Sequence, residues 1–299
     1  MKLAGYGEDR LVRELTRALP ARRADVRVGI GDDCAVIGAK SAARWTLLKT
    51  DCIIEGVHFL KTAPARKVGW KALARALSDI AAMGGEPSHA LVTIAAPATM
   101  RVAWLKGFYA GLREAAGKFG VVIVGGETAR SPGAFFCSVA LTGVVERKRC
   151  VTRSGARGGD ALYVTGRLGG SIRGRHLAFT PRIAEARWLT QHFQLHAMMD
   201  LSDGLGSDLP RLAEASRCGF LVHEEKIPVT PGCTTRHALA DGEDYELLFA
   251  IHPRDTKRLE SAWKKRFPKL PLTRIGALVS NLKSEIGNLK STHGFDHYA

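Results

Sequence analysis

Two α/β domains are the architecture this sequence predicts. Its 299 residues exceed what one hydrophobic core ordinarily organises. Apolar runs with strand character alternate with stretches of helical periodicity through both halves, which is how α/β units read in sequence. A basic polar stretch, ERKRCVTRSGARGGD at 146–160, interrupts the alternation and is the best candidate for a junction, placing the halves at 1–148 and 149–299.

In the first half, Leu11, Leu15 and Leu19 recur at helical spacing over 8–19. GIGDDCAVIG, bounded by glycines, reads as a turn-rich segment, and WTLLKTD (45–51) as a strand. ARKVGWKALARALSDIAAMGG (65–85) is a long apolar helix that Gly84 and Gly85 end, and SHALVTIAA (88–96) is a strand. TMRVAWLKGFYAGLREAAGKFG (99–120) reads as a helix stopped by Gly120, with strands VVIVGG (121–126) and FFCSVALTGVVER (135–147) following. The second half offers the strand DALYVTG (160–166), the helix RIAEARWLTQHF (182–193) and the strand AMMDL (197–201). A helix from about Ser202 to Arg217 and the strands GFLVHEE and DYELLFAI complete the pattern.

Bulk properties narrow the function classes. No apolar run approaches the roughly 18 residues that span a bilayer, and the first residues carry acids where a secretory signal would be apolar. Six scattered cysteines form no C-x-x-C pair, so neither zinc nor a disulfide framework is signalled and a reducing cytoplasm is expected. Lys+Arg at 44 against Asp+Glu at 29 favours anionic partners: nucleotides, phosphorylated metabolites or nucleic acid. No recognised nucleic-acid motif or aromatic-basic stripe accompanies that charge, so the nucleic-acid reading is the weaker one.

Against this basic background, acids recur at particular places. Asp32 and Asp33, Asp51, Glu127, and Asp200 with Asp203 each lie at the end of an apolar strand or beside a glycine turn, where α/β folds build ligand sites. One such set serves as a helix cap, and Ser202 with Asp203 in the first turn of the next helix fits that role. Asp79 is different, because its helical neighbours Ala76, Ala82 and Met83 bury it. A buried carboxylate must pair, with Arg75 or a backbone group, or bind metal. Carboxylate oxygens together with a basic surround point to Mg²⁺ and a nucleotide. There is no G-x-x-x-x-G-K-[ST], GIGDDC lacks the third glycine of a dinucleotide site, and the H-R-D and D-F-G of protein kinases are missing.

In order along the chain, GIGDDCAVI, TDCIIEGVHF, KALARALSDIAAMGG, GGETARSPG, VTRSGARGGDALYVTG, PRIAEARWL, MDLSDGLGSDL and DGEDYELLF resemble the thiamine-monophosphate kinase family. That family belongs to the superfamily of aminoimidazole ribonucleotide synthetase and selenophosphate synthetase. The resemblance implies ATP-dependent phosphorylation of thiamine monophosphate to thiamine diphosphate, with Mg²⁺ held by Asp33, Thr50, Asp51, Asp79, Glu127, Asp200 and Asp203. It implies ATP contacts from Gly126, Glu127, Arg153 and Ser202, substrate contacts from His58, Glu243 and the C-terminal Phe295, and catalytic roles for Asp79, Asp203 and Arg153. It also implies an aminoimidazole-ribonucleotide-synthetase-like fold, a homodimer whose N-terminal domains join their strands into a barrel, and a site at the cleft between domains. Another enzyme of the superfamily is the alternative within the class.

Several of these residues also have plainer readings: His58 as a strand-end histidine, Arg153 as a solvated arginine, Glu243 and Asp244 as turn acids. Departures from the family pattern are Glu127 where Asp is usual, Asp241 where Gly is usual, and Lys49 where some members carry a small polar residue. The aromatic expected near the C-terminus is not clearly matched, with Thr292, Phe295 and Tyr298 as the nearby residues.

Overall fold

The computed structural model describes residues 7–19, 23–281 and 284–286. The N-terminal half runs α1 (Glu8–Thr16), β1 (Val26–Val28), β2 (Ala35–Ile37), β3 (Arg44–Ile54), α2 (Ala65–Ala82), β4 (Glu86–Ala96), α3 (Val102–Phe119), β5 (Val122–Arg130) and β6 (Phe136–Glu146). The C-terminal half runs β7 (Ala161–Thr165), α4 (Ile183–His192), β8 (Leu195–Asp200), α5 (Leu205–Ala215), β9 (Gly219–Val222) and α6 (Thr235–Ala240). It ends with β10 (Leu247–Ile251), α7 (Thr256–Arg266), β11 (Leu272–Val279) and β12 (Ser284–Ile286).

The N-terminal sheet has the order β1-β2-β3-β6-β4-β5 and is open. Alternation along β3 sets its two faces, because successive side chains in a strand point to opposite sides. Leu47 and Ile53 are buried on the inner face, and Lys49 and Asp51 lie between them in the same phase. Leu48 and Thr50 take the other face, which is exposed, and Leu91, Val122 and Val124 are exposed as well. A shallow groove on that face is lined by Leu48, Thr50, Leu91, Val124 and Ala140.

Helix α2 is buried along nearly its whole length from Val68, packed against the inner face of the sheet and against α3. The α2–α3 contact depends on two glycines. A Cβ on Gly69 would sit 1.9 Å from the Phe108 carbonyl oxygen, and one on Gly111 would sit 1.8 Å from that of Arg66. The two backbones are in contact there, which only glycine permits.

The C-terminal sheet has the order β12-β9-β11-β7-β10-β8. Its central strands β7 and β10 are buried at every position, as their uninterrupted apolar sequences ALYV and LLFAI require. Leu162, Val164 and Leu248 face one core with α5 and α6; Tyr163 and Phe249 face another with α4 and α7. The halves are tied by Arg187 of α4, whose guanidinium donates to the Gly84 carbonyl at 3.0 Å and to Glu146 at 2.6 Å.

Both sheets are mixed and mostly antiparallel, with only β4–β5 and β9–β12 parallel among the described strands. The structure departs from the sequence expectations in two ways. Helix α5 begins at Leu205, not Ser202, because Gly204 at φ +95° is outside the helical region. Ser202 and Asp203 therefore precede the helix instead of capping it. Finally, β1, β2, α6, α7, β11 and β12 were not anticipated. Three of them are three-residue strands with too little alternation to read, and α7 shows only Leu259 and Trp263 as buried apolar positions in a highly charged segment.

Candidate active site

Three buried carboxylates from three separate elements converge between the two halves. Asp33 lies in the loop before β2, Asp79 in the last turn of α2, and Asp200 is the final residue of β8. One oxygen of each lies within 4.8 Å of the others. Ser78 donates to Asp200 at 2.6 Å, and Arg153 Nε donates to Asp33 at 3.2 Å. The Arg153 backbone N–H donates to Asp32 at 3.2 Å. Lys49 Nζ is 2.8 Å from Asp79.

Burial pushes Asp79 well above the ordinary carboxylate range, and burial reinforced by Asp33 pushes Asp200 up to about 7. Asp32 rises to about 7 for the same two reasons, burial first and Asp33 second. Burial works against the Lys49 ammonium, yet Asp79 and Asp51 outweigh it and raise its pKa above the usual lysine value. Asp33 Oδ2 is buried and has no hydrogen-bond partner among the described residues. Crowded, oxygen-only donors with one oxygen unspent fit a hard divalent cation such as Mg²⁺.

The cluster opens on a cavity of about 520 Å³ lined by Lys49, Asp51, Arg75, Arg153, Ser202 and Asp203 besides Asp79 and Asp200. Arg75 Nε donates to Asp51 at 3.2 Å. Asp203 accepts from Arg211, and its N–H donates to the buried Asp208 at 2.9 Å. A second cavity of about 310 Å³ is lined by Val57, His58, Ile172, Asp241 and Glu243. The two cavities share Arg75, Ser202, Asp203 and Tyr245, so they adjoin.

Glu243 is the anchored acid of the second cavity. It takes a left-handed φ of 55°, as Tyr245 does at 51°, which is uncommon for residues other than glycine and concentrates at functional sites. Lys71, fully buried, donates to Glu243 at 2.6 Å and to the His58 carbonyl at 2.5 Å. His176 Nδ1 lies 2.9 Å from Glu243 and 2.8 Å from Lys71 Nζ. Burial opposes the Glu243 charge, but His176, Lys71 and Arg75 outweigh it and hold the acid down at about 2. His58 is oriented by the Ile54 N–H, which donates to its Nδ1 at 3.1 Å.

Of the residues predicted from sequence, Asp33, Asp51, Asp79, Arg153, Asp200, Ser202 and Asp203 come together at the cluster and its cavity. His58 and Glu243 come together at the second. Thr50, Gly126 and Glu127 do not join them within one chain. Thr50 Oγ1 lies 3.3 Å from Ser138 Oγ, on the sheet face opposite Asp51. Glu127 pairs with Thr93, Thr93 with Ser138 and Ser138 with Cys52, which puts Glu127 three strands from β3 and on that same exposed face. Three strand spacings are about 14 Å. Gly126 is beside it, paired with Val92. Phe295, Thr292 and Tyr298 lie outside the described residues.

Sequence reasoning missed Lys71, His176 and Tyr245, and it considered Arg75 only as a partner for Asp79. Lys71 carried a readable signal, a lysine inside the apolar run GWKALA; His176 and Tyr245 are placed by tertiary contact and carried none. Asp241 is harmless where it stands: its φ is −69°, Gly242 takes the left-handed conformation at +68°, and its carboxylate accepts the Gly170 N–H at 2.8 Å.

Comparison with known proteins places the whole chain in one family. Residues 31–145 match the model for the AIR synthase related protein N-terminal domain, and residues 152–280 match that for its C-terminal domain. The thiamine-monophosphate kinase of Rhodopirellula baltica is 40% identical over 286 residues, covering 90% of this chain and 87% of that protein. That of Escherichia coli K12 is 33% identical over 307 residues, covering 93% and 92%. The solved structure "AaThiL complexed with AMPPCP and TMP" superposes with a TM-score of 0.85 at 31% identity, covering 99% of both chains. This chain belongs to the thiamine-monophosphate kinase family.

Proposed function

We propose that the chain transfers the γ-phosphoryl group of ATP to the phosphate of thiamine monophosphate, giving thiamine diphosphate and ADP. The observation that carries this reading is the adjacency of a carboxylate-lined cavity and a second cavity with an ionised acid, sharing Arg75, Ser202 and Asp203. The relatives named above, and a structure with AMPPCP and TMP bound, support it.

In the reaction an oxygen of the acceptor phosphate forms a bond to the γ-phosphorus, and the bond from that phosphorus to the β–γ bridging oxygen breaks, its electron pair leaving with ADP. A phosphate monoester, with a second pKa of about 6, is already a dianionic nucleophile at neutral pH, so no strong general base is needed. Asp33, Asp51, Asp79, Asp200 and Asp203 would hold Mg²⁺, which when bound neutralises phosphate charge. Arg75, rooted in α2 at the border of the two cavities, and Arg153 supply fixed positive charge where negative charge accumulates. Glu243, kept ionised by its surroundings, suits the positively charged thiazolium ring, and His58 flanks it.

We further assign the exposed face bearing Leu48, Leu91, Val122 and Val124 to a homodimer, the strands of two copies closing into a barrel. Apolar residues grouped on an open sheet face are what such an interface requires. Domains of 1–148 and 149–299 and a cytoplasmic location, in keeping with six cysteines left free, complete the reading.

Incubation of the purified chain with ATP, Mg²⁺ and each of several phosphate monoesters, followed by chromatography, tests it: thiamine diphosphate and ADP are expected in equal amounts. Absence of thiamine diphosphate overturns the assignment. Asp79→Asn is expected to cut turnover by about a hundredfold or more while leaving the fold intact by circular dichroism.

A further inference from the structure

Four acids around the larger cavity each hold a cation from the chain itself: Asp33 with Arg153, Asp51 with Arg75, Asp203 with Arg211, and Asp79 with Lys49. The first three cations are guanidiniums, whose charge is spread over a planar fork. Lys49 brings an ammonium, a compact point charge on a flexible four-carbon stem. Its position follows from the strand: inward-facing on β3 in phase with Asp51, it reaches Asp79 at 2.8 Å across to α2.

That contact falls inside the cluster. Asp79 is one of the three acids whose oxygens lie within 4.8 Å of one another, and Asp33 of the same trio has a buried oxygen without a partner. An ammonium hydrogen-bonded to one of those acids occupies a direction from which a divalent ion would draw oxygen. At a few ångströms in a partly buried setting, two like charges repel strongly. The cluster is therefore already partly neutralised by the chain.

We propose that Lys49 is a resident cation that occupies Asp79 in place of a divalent ion, so that the nucleotide-free protein binds divalent metal weakly and metal enters with the nucleotide's phosphates. This rests on the reading of the carboxylates as a divalent-cation site. When metal and nucleotide arrive, the flexible stem lets the ammonium leave Asp79 for a phosphate oxygen.

Mn²⁺ alone is the probe, with free Mn²⁺ followed by electron paramagnetic resonance during titration of the full chain, first without nucleotide and then with AMPPCP. Lys49→Gln, which keeps most of the stem, and Lys49→Ser are expected to tighten nucleotide-free Mn²⁺ binding by about tenfold or more. Lys49→Arg, which keeps the charge, is expected to leave nucleotide-free Mn²⁺ binding as weak as in wild type, and adding Asp79→Asn to Lys49→Gln to abolish the gain. Mn²⁺ is also expected to raise the Tm of Lys49→Gln more than that of wild type. Unchanged or weaker Mn²⁺ binding in Lys49→Gln overturns the proposal, as does tightening in Lys49→Gln that survives Asp79→Asn. If no form binds Mn²⁺ even with AMPPCP present, the cation-site reading itself fails and the proposal falls with it.

Discussion

Glu243 shows how much one side chain's setting decides. Three basic groups surround it, and its folded pKa of about 2 lies below the ordinary 4.5. Between those values the unfolded chain binds the proton more readily than the folded one, so stability rises with pH there. The stabilisation is complete above about pH 4.5 and is lost as pH falls toward 2. Urea unfolding followed from pH 7 down to pH 3 is expected to show wild type losing stability more steeply than Glu243→Gln in the acid range; parallel curves would remove the argument. At pH 7 the same substitution leaves the buried Lys71 without its counter-charge, whereas Arg75 keeps Asp51, and it is expected to cost about 3 kcal/mol. At this scale the sequence was informative where a charge broke an apolar pattern. Asp79 was legible because its helical neighbours are alanine and methionine, whereas His176 reaches the site through a short turn whose sequence, GRHL, carries no comparable signal.

Helix α2 delivers Lys71, Arg75, Ser78 and Asp79 to the site, and its position against α3 is set by backbone contact at Gly69 and Gly111. Gly111→Ala places a methyl group into the Arg66 carbonyl, so the helices must separate. A loss of about 2 kcal/mol or more in unfolding free energy is expected, with activity falling as the acids shift. An unchanged urea midpoint would show that the contact is slack. Elements of this kind were the most legible: α2 and α3 are each long, apolar-rich stretches that a glycine ends. What the sequence could not reveal was the start of α5, which a glycine conformation decides, and short edge strands such as β12, whose pairing is set by a distant neighbour, β9.

For the molecule as a whole, the unequal faces of the N-terminal sheet are the telling feature. One is covered by α2 and α3; the other bears Leu91 at 48% and Val124 at 58% exposure. Light scattering during gel filtration is expected to give a dimer for wild type and a monomer for Leu91→Asp; a monomeric wild type would end the assignment of that face. The same assay bears on Thr50 and Glu127, which lie on that face and away from their own chain's acids. The two-half organisation was visible in the sequence, but the antiparallel pairing within each sheet was not, since alternation of helices and strands fixes neither direction nor order.

Arg75 stands where both chambers meet, on the most deeply packed rod of the structure. A donor and an acceptor seated on either side of it would find their separation set by that rod and not by the loops around Val57 and Ile172.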